Sequence, residues 1–340
     1  MAVVWVDNFS FYATNDVDKF YAASGIYSVT ATTPRFSNHK SLQLTYSGGT
    51  VRRVLAATTN QLVVGVAFRT PDLVSTYGFK IRLYDTTTTQ LTATYNIDGR
   101  IQVWNGDPGF GTLLATSVNP YVTINAWHYM ELKATISNTG SAQVQFNGVL
   151  VSFDGGFGTT ITGDTQATAN AYASSVGLYE GNTAGIRFTD FYIIDATVGT
   201  NTTFLGDCRV DHMYPTMDHA VEWTRSAGAD NYANVDDAGD IDDDTTYNYS
   251  STASQEDIFE TENPPVLTSE TVYAFAVAYV AKKDDAGTRI VQSLIHSTTE
   301  DTTYGTEHSL PGAGAEELNL GQGMIAGMRL SDQIPAGGAA

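Results

Sequence analysis

The chain has 340 residues, of which 42% are apolar and 16% are charged, and its formal net charge is −20. The apolar fraction excludes a disordered chain, and no apolar run approaches the roughly 20 residues of a membrane-spanning helix. The acidic balance argues against nucleic acid as a partner.

The first 60 residues are predicted to form short strands between polar turns. Residues 62–68 (LVVGVAF) are continuously apolar, which is typical of a strand buried on both faces. Residues 79–84 (FKIRLY) alternate between apolar and polar side chains, and Asp98-Gly99 predicts a hairpin between two further strands.

The clearest stretch is residues 127–151, WHYMELKATISNTGSAQVQFNGVLV. In its first strand, every second residue from Met130 to Ile136 is apolar, and the residues between them are polar. This alternation predicts a half-buried strand, with His128 facing the core or lying beside it. Asn147-Gly148 is a strong hairpin signal because both residue types tolerate positive φ. Residues 175–179 and 188–194 are predicted to be the last strands of this domain.

The order WHYMELKATI, VQFNGVLV, SSVGLYEG and RFTDFYIID resembles the concanavalin-A-like jelly-roll superfamily in its laminin-G-like form. The resemblance covers about residues 1–197 and implies two curved antiparallel sheets. That superfamily includes lectins, glycan-binding modules and some glycoside hydrolases. We therefore expect an all-β protein that begins with a jelly-roll β-sandwich over 1–197.

Residues 198–340 are predicted to form a second, smaller and strongly acidic β domain. They carry 6 basic and 24 acidic residues, against 11 and 13 in residues 1–197. Strands are predicted over 270–281 and 288–296, and residues 318–330 are expected to close a second sheet. The tail from Pro335 lacks core residues and is expected to fray.

The start of this second part, TFLGDCRVDHMYP at 203–215 and the residues up to about Phe259, is similar to a C-terminal module of tailed-phage virion proteins. The resemblance implies a structural component of a phage particle.

A glycan site would need aromatic side chains beside polar ones. Two places offer this combination: a loop with Trp104, Asn105 and Asp107, and the end of a strand, where Tyr179 is followed by Glu180 and Asn182. The alternative is that each aromatic residue covers the edge of the core.

Asp240, Asp242 and Asp244 have the first spacings of a calcium loop. An EF-hand is excluded because Thr245 stands where glycine is required and Ser251 replaces the closing glutamate. A different calcium site is one alternative, and a solvated acidic loop or a contact with a neighbouring subunit is the other. No other cofactor is expected.

Residues 1–197 contain no Glu-x-Asp-x-x-Glu strand of the kind that the jelly-roll hydrolases of the superfamily use, and Glu131 stands alone. The sequence therefore predicts that the chain is not an enzyme.

The favoured interpretation is a virion structural protein that coats a phage capsid or tail or projects from it as a fibre. It would act by assembly with its own copies, for example as a trimer, and with other virion proteins. A single cysteine and no secretion signal favour synthesis in the host cytoplasm and release in the particle. The alternative is an adhesin that binds host-surface glycans through the jelly-roll loops.

Overall fold

The computed structural model describes residues 3–45, 48–73, 76–181, 185–199, 201–237, 241–242, 244–262, 271–284, 289–297, 303–310, 316–320 and 329–330. The described chain is almost entirely β, which confirms the predicted fold class. Its internal contacts divide it into two compact units. The first contains Met1–Ser10 and Phe20–Val210, and the second contains Phe11–Lys19 and Asp211–Ala340. The division into domains at residue 197 stays a prediction.

Two antiparallel sheets make up the first unit. The nine strands of the first sheet are β1 (Val3–Asp7), β3 (Tyr27–Thr30), β4 (Ser41–Leu44), β6 (Gln61–Arg69), β11 (Trp127–Thr135), β12 (Gly140–Phe146), β13 (Val149–Leu150), β14 (Ile161–Gly163) and β16 (Ile186–Asp195). The seven strands of the second sheet are β2 (Ala22–Ser24), β5 (Thr50–Thr59), β7 (Lys80–Asp85), β8 (Thr88–Tyr95), β9 (Arg100–Asn105), β10 (Thr112–Pro120) and β15 (Ala173–Tyr179).

The order of strands in the first sheet is β13-β12-β11-β6-β16-β4-β3, with β1 also paired to β16 and β14 to β12. The order in the second sheet is β10-β9-β8-β7-β15-β5-β2. Aromatic rings join the two sheets, since Phe68 of β6 lies 4.8 Å from Phe79, just before β7, and Phe79 lies 4.9 Å from Phe188 of β16. All three rings are fully buried, so the core of a β-sandwich lies between the sheets.

Strand β6 is central and buried on both faces, as its continuous apolar sequence predicted. Strand β11 differs from its prediction, because Tyr129 and Glu131 on its polar parity are buried as well. The chain after β16 covers that face: Phe204, Leu205 and Cys208 pack against a cluster that includes Tyr129. A strand can therefore be buried on both faces although its own sequence alternates.

Both predicted hairpins form. Asn147 and Gly148 have φ of 48° and 78° between β12 and β13, and Gly99 has φ of 73° between β8 and β9. His128 is 6% exposed, as expected for a residue at the core.

The second unit consists of one larger sheet and two strand pairs. Its strands are β17 (Pro215–Val221), β18 (Thr224–Arg225), β19 (Asn248–Tyr249), β20 (Asp257–Thr261), β21 (Ala278–Lys282), β22 (Ile290–Ser297), β23 (Thr303–Ser309), β24 (Glu316–Leu320) and β25 (Arg329–Leu330). The sheet has the order β17-β20-β25-β22-β23, and β18 pairs with β19 and β21 with β24. The remaining elements are one short α-helix and two 3₁₀ helices, Val17–Phe20, Thr14–Asp16 and Tyr232–Asn234.

The strand predicted over 270–281 is shorter than expected, since residues 271–277 form no strand and β21 begins at Ala278. The strand predicted over 288–296 corresponds to β22. Of the stretch predicted to close a second sheet, 318–320 belong to β24, 329–330 form β25, and 321–328 lie outside the described residues, as does the tail from Pro335. Where the structure describes the chain, it contains no helix that could cross a bilayer.

Candidate functional site

The second sheet of the first unit turns a polar face away from the core. Along β7, Ile81 and Leu83 are fully buried in the sandwich, so the alternating residues Lys80 and Arg82 lie on the opposite face. The strand register extends this face into two rows across the five neighbouring strands β5, β15, β7, β8 and β9. The rows are Thr50, Tyr179, Lys80, Thr94 and Gln102, and beside it Arg52, Gly177, Arg82, Thr92 and Trp104.

Two cations on this face share one carboxylate. Asp107 Oδ1 lies 2.5 Å from Arg82 Nη2 and 3.6 Å from Lys80 Nζ. The cations themselves are 7% and 6% exposed, whereas the side chain of Asp107 is 32% exposed. Because one carboxylate faces two cations, the three groups together keep a positive charge.

The ring of Tyr179 holds both cations in place. Arg82 Cζ lies 3.8 Å and Lys80 Nζ 4.7 Å from the centre of this ring, which are cation–π distances. Lys80 Nζ also lies 5.6 Å from the ring of Tyr77. Burial lowers the pKa of Lys80 to about 8, with a further contribution from Arg82 that Asp107 opposes. Lys80 is therefore still mostly charged at neutral pH.

Aromatic and amide groups continue the face beyond Lys80. The rings of Tyr77 and Trp104 meet edge to face at 5.5 Å. The indole Nε1 of Trp104 donates to Oε1 of Gln102 at 3.3 Å, and Gln102 Nε2 donates to Thr116 at 3.4 Å. We call Lys80, Arg82, Asp107, Tyr77, Trp104 and Tyr179 the basic–aromatic site.

The loop after β9 brings Asp107 over β7. Its base is fixed, because the Gly106 amide donates to Gln90 O at 2.8 Å and Asn105 Nδ2 donates to Asp164 O at 3.1 Å. Its tip is a turn in which the Phe110 amide donates to Asp107 O at 3.0 Å. The side chain of Phe110 is 95% exposed beside the site.

The structure brings together three of the four residues predicted for glycan binding. Asp107 and Tyr179 contact the same two cations, and Trp104 joins them through Tyr77. Asn105 anchors the loop instead. A role of these residues in glycan binding stays a prediction.

Lys80 and Arg82 were not among the residues predicted for the site. Their signal was present, since both stand on the polar parity of the alternating stretch FKIRLY. Two cations on one face of a strand are ordinary on a solvated surface, and only the register with β15 shows that an aromatic ring lies beneath them.

The predicted calcium residues do not form a metal site among the described residues. Asp242 accepts from Thr246 Oγ1 at 2.6 Å and closes a turn, and Asp244 forms an ion pair with Lys282. Asp240 lies outside the described residues. No cluster of three or more metal-binding side chains occurs in the described part of the chain, and a calcium site in this loop stays a prediction.

Several acids are buried outside the basic–aromatic site, among them Glu131 and Glu180. Glu131 Oε1 accepts from the amides of Leu205 and Gly206 at 2.9 and 3.0 Å and from the Tyr192 hydroxyl. Burial raises the pKa of Glu131. Glu180 is fully buried, and neither of its carboxylate oxygens has a hydrogen-bond partner among the described residues. Burial, with Asp72 nearby, raises its pKa to about 7.

No family model and no curated protein matches the chain. Solved structures of similar architecture include an alginate lyase from a Chlorella virus, with 12% identity, 57% of this chain and 99% of that chain covered, and a TM-score of 0.40. A carbohydrate esterase from the Shiga toxin-encoding bacteriophage phi24B matches with 12% identity, 56% and 99% covered, and a TM-score of 0.37. A Bacillus subtilis carbohydrate-binding module, CBM66, matches with 12% identity, 52% and 96% covered, and a TM-score of 0.35.

The first unit is a sandwich of two antiparallel sheets, and the solved structures that are similar to it include carbohydrate-binding and carbohydrate-active proteins. At these identities the comparisons describe architecture and assign neither ligand nor activity. They do contradict the prediction that the chain is not an enzyme, because the similar structures include a lyase and an esterase. The missing Glu-x-Asp-x-x-Glu strand bears only on glycoside hydrolysis, so its absence does not exclude another reaction.

Proposed function

We propose that the first unit binds carbohydrate on the polar face of its second sheet, at the basic–aromatic site. The observation that carries this proposal is the pair Lys80 and Arg82, held almost buried between the Tyr179 ring and the half-exposed Asp107. Binding sites for small polar ligands combine aromatic surface with a few fixed polar groups. Side chains on the outer face of a β-sandwich do not belong to its core, so packing of the core does not account for this arrangement.

The test is a glycan array probed with the full chain, followed by titration of the best ligand. Tyr179→Ala and Trp104→Ala should each weaken binding by about tenfold or more, since each removes a large aromatic contact surface. The matched control is Tyr249→Ala, which removes a half-exposed tyrosine from the second unit. Binding that tolerates both site variants would place the ligand elsewhere.

We also propose that the chain binds carbohydrate as a structural component of a tailed-phage particle. Support comes from residues 203–259, which resemble a C-terminal module of virion proteins. The ligand would then be a glycan of the host surface, and the other partners would be further copies of the chain, for example in a trimer, and neighbouring virion proteins. Its location would be the virion.

This second proposal is tested by imaging particles with and without the protein, together with light scattering of the purified chain. The expected result is missing density on the particle and a mass that is a multiple of 36.6 kDa. A strictly monomeric chain that binds no particle would contradict it.

A further inference from the structure

The local charge of the basic–aromatic site is opposite to that of the protein. The whole chain carries −20 with only 17 basic residues. Three of these basic residues, Arg52, Lys80 and Arg82, lie on one face, on the two strands β5 and β7 that flank β15. Arg52 Cζ lies 5.6 Å from the centre of the Tyr84 ring, and Tyr84 OH lies 3.4 Å from Arg82 Nη1. Such a concentration of positive charge in an acidic chain favours an anionic ligand.

The position of Asp107 shows that the two cations can hold a carboxylate. One of its carboxylate oxygens lies within reach of both Arg82 Nη2 and Lys80 Nζ. The two cations are rigidly placed by burial and by the Tyr179 ring, whereas Asp107 comes from a loop and is a third exposed. The cations can therefore keep their positions while Asp107 turns to solvent and another carboxylate takes its place.

We propose that the basic–aromatic site binds a carboxylate-bearing sugar, a hexuronate unit of an acidic polysaccharide, and that the sugar carboxylate replaces Asp107 at Lys80 and Arg82. The aromatic rings of Tyr179 and Trp104 supply the apolar contact for the sugar rings. This inference rests on the proposed carbohydrate-binding function. It specifies the class of ligand, and it implies that Asp107 competes with the sugar carboxylate for Lys80 and Arg82.

The test uses oligogalacturonate, oligomannuronate and oligoglucuronate, each beside its carboxyl-reduced counterpart, which has the same linkage but no charge. Sulfated dextran oligomers form a third arm, and the full chain is titrated calorimetrically. At least one uronate oligomer should bind about tenfold or more tightly than its carboxyl-reduced form, as expected for a lost charge-assisted hydrogen bond.

Two variants with opposite expected effects make the test decisive. Arg82→Gln should weaken uronate binding by about tenfold or more. Asp107→Asn should strengthen it by roughly three- to tenfold, because it removes the competing charge, and a misfolded variant cannot produce such a gain. Arg187→Gln, on the other sheet, is the matched control and should leave the affinity unchanged.

Several results would overturn the inference. These are equal binding of the carboxyl-reduced oligomers, a preference for the sulfated oligomers, and an Asp107→Asn variant with unchanged or weaker affinity. In each case, binding that is still lost in Tyr179→Ala leaves the proposed carbohydrate-binding function intact. If no oligosaccharide binds either here or on the array, both proposals fail.

Discussion

Glu180 couples the stability of the first unit to pH. Its pKa is about 7 because burial, with Asp72 nearby, disfavours the charged form. A carboxyl whose folded-state pKa is raised stabilises the fold in its protonated form, fully below its unfolded-state pKa near 4.5, and loses that contribution as pH rises through about 7. Between pH 5 and 8 this group therefore makes the folded state less stable as pH increases.

We predict that Glu180→Gln flattens this dependence, since glutamine is neutral throughout. The free energy of unfolding, measured by urea denaturation at pH 5, 6, 7 and 8, should fall less with pH in the variant than in the parent chain. Asp98→Asn, an exposed acid in a turn, is the control and should keep the parent's slope. If the free energy of unfolding changes equally with pH in the parent and in Glu180→Gln, then burial does not raise the pKa of Glu180.

The chain segment after β16 is held against the first sheet by side chains of β11 and β16. One oxygen of Glu131 on β11 holds residues 205–206 through two amide hydrogen bonds and also accepts from Tyr192 on β16. Further along, the Asp190 carboxylate accepts from the Val210 amide at 2.9 Å and from Arg35 at 2.6 Å. Two buried carboxylates therefore fasten this segment to the outer face of the first sheet.

We predict that Glu131→Ala destabilises the first unit by about 2–4 kcal/mol, because the Tyr192 hydroxyl and the amides of Leu205 and Gly206 lose their shared carboxylate acceptor. Hydrogen exchange at the amides of Leu205 and Gly206 should accelerate in the same variant. Glu131→Gln keeps one carbonyl acceptor and serves as the matched comparison, with a smaller loss. Unchanged exchange in Glu131→Ala would show that the segment is held by its apolar contacts alone.

Elements could be predicted from the sequence where their signal is local. The Asn147-Gly148 hairpin depends on two adjacent residues that tolerate positive φ, and β6 shows its burial in its own apolar run. The double burial of β11 could not be predicted, because the residues that cover Tyr129 and Glu131 come some 70 positions later in the chain.

The candidate site was predictable only in part for the same reason. Trp104, Asp107 and Tyr179 could be predicted because they lie at strand ends and loops, where aromatic side chains beside polar ones indicate a glycan site. Lys80 and Arg82 have the pattern of ordinary polar residues in an alternating strand, and the relation of Lys80 to Tyr179 depends on the pairing of β7 with β15, almost 100 residues apart. Sequence alternation gives the face of a residue but not its neighbours on adjacent strands.

The extent of the first unit along the chain can be tested with fragments. Its contacts continue to Val210, beyond the last strand at Asp195. A fragment that ends at residue 197 would expose Tyr129, Tyr192 and Val63, which Phe204 and Leu205 otherwise cover.

We predict that residues 1–197 unfold at lower temperature than residues 1–212, although both fragments lack nearly all of the second unit. The shorter fragment loses the apolar cover of its first sheet as well as the amide partners of Glu131. Calorimetry of the two fragments measures the difference. Equal unfolding temperatures would favour the boundary at residue 197.

The lone thiol of the protein lies in that covering segment. Burial, reinforced by the carboxylates of Glu131, Asp207 and Asp190, raises the pKa of Cys208 to about 12. Because the thiolate is the reactive form, this thiol is poorly suited to react with oxidants or to attack disulfides. The folded chain should therefore tolerate prolonged aeration without becoming covalently cross-linked, and alkylating reagents should label it only once it is denatured.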